Sequence, residues 1–111
     1  MQKVIAFVFV LVSVASASGQ APAGNAEKGK STFMRVGCYA CHGTVGQGGT
    51  GPRLAPNPMT VDRITAYVRK PGGMPPYSAK VLSDSDLADI RAYLATIPAP
   101  PPVNSILLLN K

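Results

Sequence analysis

Two cysteines and a histidine lie in one short run of the 111-residue chain, Cys38-Tyr39-Ala40-Cys41-His42. They are the only cysteines and the only histidine in the sequence. Cysteines at this spacing can each form a thioether with one of the two vinyl groups of a haem, and the adjacent imidazole can then bind the iron. The run therefore predicts the covalent attachment of one haem c, with Cys38 and Cys41 as anchors and His42 as an iron ligand.

Three other uses of these residues are disfavoured. A structural zinc site usually takes four Cys or His ligands, and the chain has only three such residues. A thioredoxin-like redox pair is expected in a βαβ unit, whereas the patterns described below are helical. A disulfide between Cys38 and Cys41 would close a very short loop and would constrain the unfolded chain little. Haem attachment is therefore the preferred prediction.

A haem bound by one histidine needs a sixth iron ligand, and a methionine thioether is a suitable one. Met74 lies in the run Pro-Gly-Gly-Met-Pro-Pro-Tyr at residues 71–77, whose glycines and prolines exclude helix and strand. Met34 falls inside a predicted helix, and Met1 belongs to the N-terminal segment considered next. Met59 lies near the segment that must cover the histidine side of the haem. Met74 is the preferred ligand and Met59 is the alternative.

The N-terminus has the features of a secretory signal peptide. Lys3 precedes an uncharged apolar run at residues 4–14, and Ala-Ser-Ala at residues 15–17 is a small-x-small cleavage signal. The alternative, an uncleaved membrane anchor, needs roughly 20 apolar residues, and this run is shorter. We therefore predict a signal peptide at residues 1–17, a flexible leader at residues 18–24 and a periplasmic mature protein without a transmembrane segment.

The charge of the chain is basic, with a formal net charge of +6 at pH 7. A basic surface predicts acidic partner surfaces. Nucleic acid is disfavoured because the basic residues form no clustered run and because the chain is expected to be exported. The chain also has no tryptophan and only 6% aromatic residues, so we expect a buried haem to supply apolar volume that the polypeptide lacks.

Three segments have helical patterns. The first is capped by Asn25, ends near Val36 and is followed by Gly37, the residue type preferred for a left-handed helix end. Gly29 and Phe33 lie one turn apart in it, so a second helix can approach closely beside the phenylalanine.

Two further helices are predicted in the second half of the chain. One spans residues 60–70, with Thr60 as its cap. The last begins at Ser83, where Asp86 completes a capping box, and it ends before Pro98. Its apolar stripe predicts packing on the first helix or on the haem edge.

Two other segments lack helical patterns. Residues 43–54 contain five glycines, and they lack the strand and the G-K-[ST] signature of a phosphate-binding loop. These glycines are expected to let the backbone pass close to the haem. Residues 99–111 form a proline-rich tail with an apolar end at 106–109, which either wraps the domain's own surface or docks on a larger subunit. The folded domain is therefore expected over residues 25–98.

These features together resemble a class I c-type cytochrome over nearly the whole mature domain. The matching motifs are the first helix, the C-x-x-C-H run, Gly-Pro-Arg-Leu at residues 51–54, Gly-Met-Pro at residues 73–75 and the Leu-Ser-Asp start of the last helix. The resemblance implies an all-α fold of about three to four helices around one covalently bound haem c.

The resemblance also implies a role for individual residues. The implied haem-binding residues are Cys38, Cys41, Pro52 and Leu54, and the implied proximal and distal iron ligands are His42 and Met74. In such cytochromes the carbonyl at the position of Pro52 accepts the N–H of the proximal histidine, and the side chain at the position of Leu54 packs against the haem ring.

The function implied is one-electron transfer in the periplasm, without catalysis by the chain itself. The loop that contains Met74, at residues 71–77, and the last helix resemble the same parts of small cytochromes that serve as electron-accepting subunits of bacterial periplasmic dehydrogenases. The sequence is compatible with a free electron carrier and with a permanent subunit. The expected partners are acidic redox proteins, such as a periplasmic dehydrogenase or a terminal oxidase. The alternative is a haem gas sensor or peroxidase-like enzyme with a labile distal ligand, which would use Tyr67, Tyr77 or Arg53 as its distal polar group.

Overall fold

The computed structural model describes residues 23–56 and 58–110, and this part of the chain contains four α-helices and no strand. The helices are α1 (Ala26–Arg35), α2 (Cys38–His42), α3 (Val61–Arg69) and α4 (Asp84–Ala95). The all-α fold expected from the sequence is confirmed.

The predicted signal peptide at residues 1–17 lies outside the described residues, as does most of the predicted leader at residues 18–24. Within the described ranges, no helix is both long enough and apolar enough to cross a membrane.

Helix α1 begins and ends at the residues that its sequence indicates. The Asn25 side chain accepts a hydrogen bond from the Lys28 backbone N–H at 2.9 Å, which satisfies one of the free donors of the first turn. After the helix ends, Gly37 adopts a left-handed conformation with φ of 86°. This turn leads directly into α2, so the C-x-x-C-H run begins at the end of α1.

Helices α1 and α4 make the main helix contact of the domain. A β-carbon at Gly29 would overlap the backbone carbonyl of Asp89, so only glycine permits this approach. Beside it, the fully buried Phe33 ring packs edge to face on Tyr93, with ring centroids 5.7 Å apart. The close approach predicted from Gly29 and Phe33 is confirmed.

The start of α4 is fixed by its own residues. The Ser83 hydroxyl accepts the Asp86 N–H at 3.1 Å, and the Asp86 carboxylate accepts the Ser83 N–H at 3.0 Å. This is the predicted capping box. The hydrogen bonds from the Ser83 backbone and hydroxyl lower the pKa of Asp86, because they stabilise its ionised form.

Helix α3 spans Val61–Arg69, one residue shorter at each end than predicted. Thr60 occupies the N-cap position, but its side chain makes no capping hydrogen bond. Helix α3 packs against α4 and contributes the buried Val68 to the core. The position of α3 therefore depends on packing more than on its cap.

The tail beyond Pro98 contains two 3-10 turns, Val103–Ser105 and Leu107–Leu109. The turns contact each other, and neither contacts any of α1 to α4. Leu107 and Leu108 are 85% and 80% exposed. These two turns of the tail therefore do not pack on the helices of the domain.

Replacing Gly29 with alanine is expected to lower the free energy of unfolding by about 2 kcal/mol or more, because the added methyl group forces α1 away from the α4 backbone. Ser31→Ala is the matched control, since Ser31 is exposed on the same helix, and its effect should stay within about 0.5 kcal/mol. Denaturant unfolding of the haem-loaded protein measures both. Equal stability of the two variants would contradict the close contact at Gly29.

Candidate functional site

The His42 side chain makes one hydrogen bond that determines its chemistry. Its Nδ1 atom lies 2.8 Å from the carbonyl oxygen of Pro52. A carbonyl oxygen can only accept a hydrogen bond, so Nδ1 carries the proton and Nε2 keeps its lone pair. The bond also orients the imidazole and raises its basicity as a ligand. His42 Nε2 is therefore the atom free to bind a metal, and the contact is the one that the resemblance implies for Pro52.

The glycine-rich loop that follows α2 folds back on that helix. The Gly51 N–H donates to the Cys41 carbonyl and the Gly48 N–H donates to the His42 carbonyl, both at 2.8 Å. A β-carbon at Gly51 would lie 2.8 Å from His42 Cε1 and 2.9 Å from Nδ1. These glycines are expected to let the backbone pass close to the haem. In the structure, Gly51 allows the backbone to pack against the imidazole.

The two cysteines differ in their surroundings. Cys38 is half-buried and packs against the core, whereas Cys41 is exposed, and the two are not joined in a disulfide. Burial raises the pKa of the Cys38 thiol, and a hydrogen bond with its own backbone only partly offsets this effect. Before haem attachment, Cys38 is therefore a neutral thiol at neutral pH.

Half-buried apolar side chains surround the buried core. They are Val36, Cys38, Leu54, Ile64, Met74, Tyr77 and Ile97. This set includes the first attachment cysteine, the preferred distal methionine and the leucine expected against the haem ring. Met34 and Met59, in contrast, are 37% and 40% exposed. Of the methionines in the described part, Met74 is the half-buried one that packs against the core.

The three polar residues considered for a reactive distal site are not equally available. The Tyr77 hydroxyl donates to the Val36 carbonyl at 2.8 Å. Burial raises the pKa of Tyr77. Tyr67 and Arg53 are both exposed. The half-buried member of the group therefore already uses its hydroxyl in a structural contact.

Comparison with known proteins identifies the family. The sequence model of the family described as "cytochrome c oxidase, cbb3-type, subunit III" matches residues 24–94, which is more than half of the chain. The chain belongs to this family of c-type cytochromes. Searches of curated proteins and of solved structures found no match.

A covalently bound haem c follows from the family, and the cytochrome has the residues to hold it. Cys38 and Cys41 have the spacing of the attachment motif, and His42 follows them directly. The protonated Nδ1 of His42 leaves the nitrogen that an iron needs, and the half-buried apolar side chains offer a surface for a porphyrin. The residues present therefore fit the cofactor, and one attachment motif corresponds to one haem.

Arg69 has a role that sequence reasoning missed. As a basic residue near the end of α3, it contributes to the positive charge that predicts acidic partners. In the structure it forms an ion pair with Asp84 at 2.6 Å and donates to the Tyr77 carbonyl at 3.0 Å. Arg69 therefore connects α3 to the start of α4 and to Tyr77 within the cytochrome.

Tyr93 also has a role that its sequence position did not reveal. Its hydroxyl donates to the Thr44 carbonyl at 2.7 Å and so attaches the loop after His42 to α4. The helical spacing of apolar residues places Tyr93 on α4, but it does not show which distant carbonyl the phenol reaches. A tyrosine at a buried position is the only sequence signal, since a buried phenol usually needs an acceptor.

Gly51→Ala is expected to displace the His42 imidazole and to lengthen its hydrogen bond to Pro52. Loss of one such bond costs about 1 kcal/mol, so thermal unfolding of the haem-loaded cytochrome should shift down by about 5 °C or more. The measurement is the Soret absorption during heating, together with the ferric spectrum at low temperature.

Ser31→Ala provides the control, because Ser31 is exposed on α1 and lies outside the motifs expected to bind the haem. It should leave both the unfolding temperature and the ferric spectrum unchanged. If Gly51→Ala behaved in the same way, the packing of this loop on the imidazole would not matter for His42.

Proposed function

We propose that the cytochrome transfers single electrons in the periplasm through a haem c whose iron is bound by His42 and Met74. The observation that carries the proposal is the packing of the half-buried Met74 against the core, whereas Met34 and Met59 are 37% and 40% exposed. Together with the orientation of His42 Nε2, it supports an iron with protein ligands on both sides. An iron bound in this way suits electron transfer better than the binding of an outside ligand.

The haem iron supplies a ferric-ferrous couple when it is bound. The protein's part is to keep the same two ligands through both states. Pro52 holds the His42 ring in one orientation, so this ligand need not move. The Met74 thioether and apolar surroundings both favour the ferrous form and raise the reduction potential.

We propose acidic redox proteins as the partners. The candidate basic residues with exposed positions are Lys30, Arg35 and Lys80. Opposite charges on a partner would steer its approach and speed the encounter at low salt. The proposed periplasmic location rests on the predicted signal peptide at residues 1–17.

Carbon monoxide tests the ligand pair. The ferrous spectrum of the unmodified cytochrome is expected to stay unchanged when carbon monoxide is added, because both axial positions are filled. Met74→Ala should expose the iron and shift the Soret band on the same treatment. Met59→Ala is the matched control and should behave like the unmodified protein.

The outcomes separate the candidate functions. A Soret shift in the unmodified cytochrome would overturn stable ligation on both sides and favour the gas sensor or peroxidase-like enzyme. A shift in Met59→Ala but not in Met74→Ala would assign the distal position to Met59.

The tail supports the role of a permanent subunit. The two 3-10 turns of the tail contact none of α1 to α4, and Leu107 and Leu108 are 85% and 80% exposed. A free carrier needs only a small and short-lived interface, and a permanent contact is usually more apolar. We therefore propose that the tail holds the cytochrome on a larger oxidoreductase.

Leu108→Asp is expected to abolish co-purification of a dehydrogenase that reduces the haem, because it places a charge in the apolar end of the tail. The haem spectrum should stay unchanged, since the tail contacts no helix. Asn104→Asp adds the same charge at an exposed position of the tail and serves as the control. A solitary, monomeric cytochrome before any substitution would contradict the subunit role and leave the carrier.

A further inference from the structure

Tyr77, the last residue of the methionine loop at residues 71–77, is fixed through three of its own polar groups. Its N–H donates to the Val68 carbonyl at 3.1 Å. Its carbonyl accepts an N–H of Arg69 at 3.0 Å. Its hydroxyl donates to the Val36 carbonyl at 2.8 Å. Backbone and side chain of one residue are thus held at the same time.

These contacts connect Tyr77 to separate parts of the domain. Val36 is the residue after α1 and stands two positions before Cys38, so the hydroxyl binds the methionine loop to the start of the attachment motif. Arg69 lies at the end of α3 and is itself fixed by the 2.6 Å ion pair with Asp84, the first residue of α4. The position of Tyr77 is therefore set jointly by α1, α3 and α4.

The chain between Met74 and Tyr77 is stiff. It consists of Pro75 and Pro76, whose rings fix the backbone φ angle. On the other side of Met74, Gly72 and Gly73 face open space and impose no such restriction. The place of Met74 is thus determined mainly from its C-terminal side, where the anchor is Tyr77.

We propose that Tyr77 is a positioning residue for the distal iron ligand: its hydroxyl bond to Val36 keeps the Met74 thioether at the haem that Cys38 and Cys41 attach. The inference rests on the proposed function, in which Met74 is the sixth ligand. The proposed role belongs to the Tyr77 hydroxyl and not to its ring, because a phenylalanine would fill nearly the same volume but could not donate to the Val36 carbonyl.

Tyr77→Phe in the haem-loaded cytochrome tests this role. One hydrogen bond contributes about 1 kcal/mol, which corresponds to about a fivefold change in the fraction of molecules with the thioether released. External ligands compete with Met74 for the iron, so their apparent affinity should rise about fivefold. The probes are imidazole for the ferric protein and carbon monoxide at high pressure for the ferrous protein, each followed by the Soret band.

Tyr93→Phe is the matched control. It also removes one phenol-to-carbonyl hydrogen bond from a packed tyrosine, but that bond lies on the histidine side and ends at Thr44. Both variants should lose similar thermal stability. Only Tyr77→Phe should bind imidazole more tightly and weaken the near-infrared charge-transfer absorption of a ferric thioether-ligated haem.

Met74→Ala separates the failure of this inference from the failure of the proposed function. If Met74→Ala bound imidazole no more tightly than the unmodified protein, Met74 would not be the ligand and the proposed function would fail. If Met74→Ala bound it far more tightly while Tyr77→Phe matched the unmodified protein, only the positioning role would be overturned. Equal effects of Tyr77→Phe and Tyr93→Phe on imidazole affinity would also overturn it, since they would show a general loosening.

Discussion

The contact between α1 and α4 is the constraint on which the rest of the domain depends. Gly29 lets the two backbones approach, and the edge-to-face pair of Phe33 and Tyr93 fills the space beside them. The same pair of helices carries both sides of the haem site. Tyr93 attaches the loop that follows His42, while Asp84 at the start of α4 fixes Arg69 and, through it, the methionine loop. A shift of α4 along α1 would therefore disturb the positions of His42 and Met74, the two proposed iron ligands.

The polypeptide alone has a small core. In the described part of the chain, the buried apolar core has nine side chains, and Phe33, Leu82 and Leu87 are the large ones that are at most 1% exposed. Seven further apolar side chains lie half-buried at the edge of this core, among them Leu54 and Met74. A haem that covers these apolar side chains removes them from water, which is favourable. Because the haem binds the folded chain, it also shifts the folding equilibrium toward the folded state. The haem is in this sense a structural component of the domain as well as its redox centre.

The features that sequence could predict are those determined within a few residues. Asn25, Gly37 and the Ser83 capping box mark helix ends through bonds between near neighbours, and the attachment motif is one continuous run. The missed features join distant positions. The Tyr77 hydroxyl reaches a carbonyl 41 residues away, and the Tyr93 hydroxyl reaches one 49 residues away. No local sequence pattern predicts such a pair. The partners of Arg69, 8 and 15 residues away, also lie beyond the range of a helix or turn pattern.

The pairing of the first helix with the last also affects the order in which the domain can form. The Asn25 N–H donates to the Asp89 carboxylate across 64 positions of the sequence, so this helix pair forms later than the local turns of α1 and the attachment motif. Until α4 arrives, α1 lacks the surface on which Phe33 is buried, and the closing contact spans most of the domain. During this interval Cys38, which is half-buried in the finished fold, is still accessible. The topology thus leaves time for thioether formation before the core closes over the first anchor.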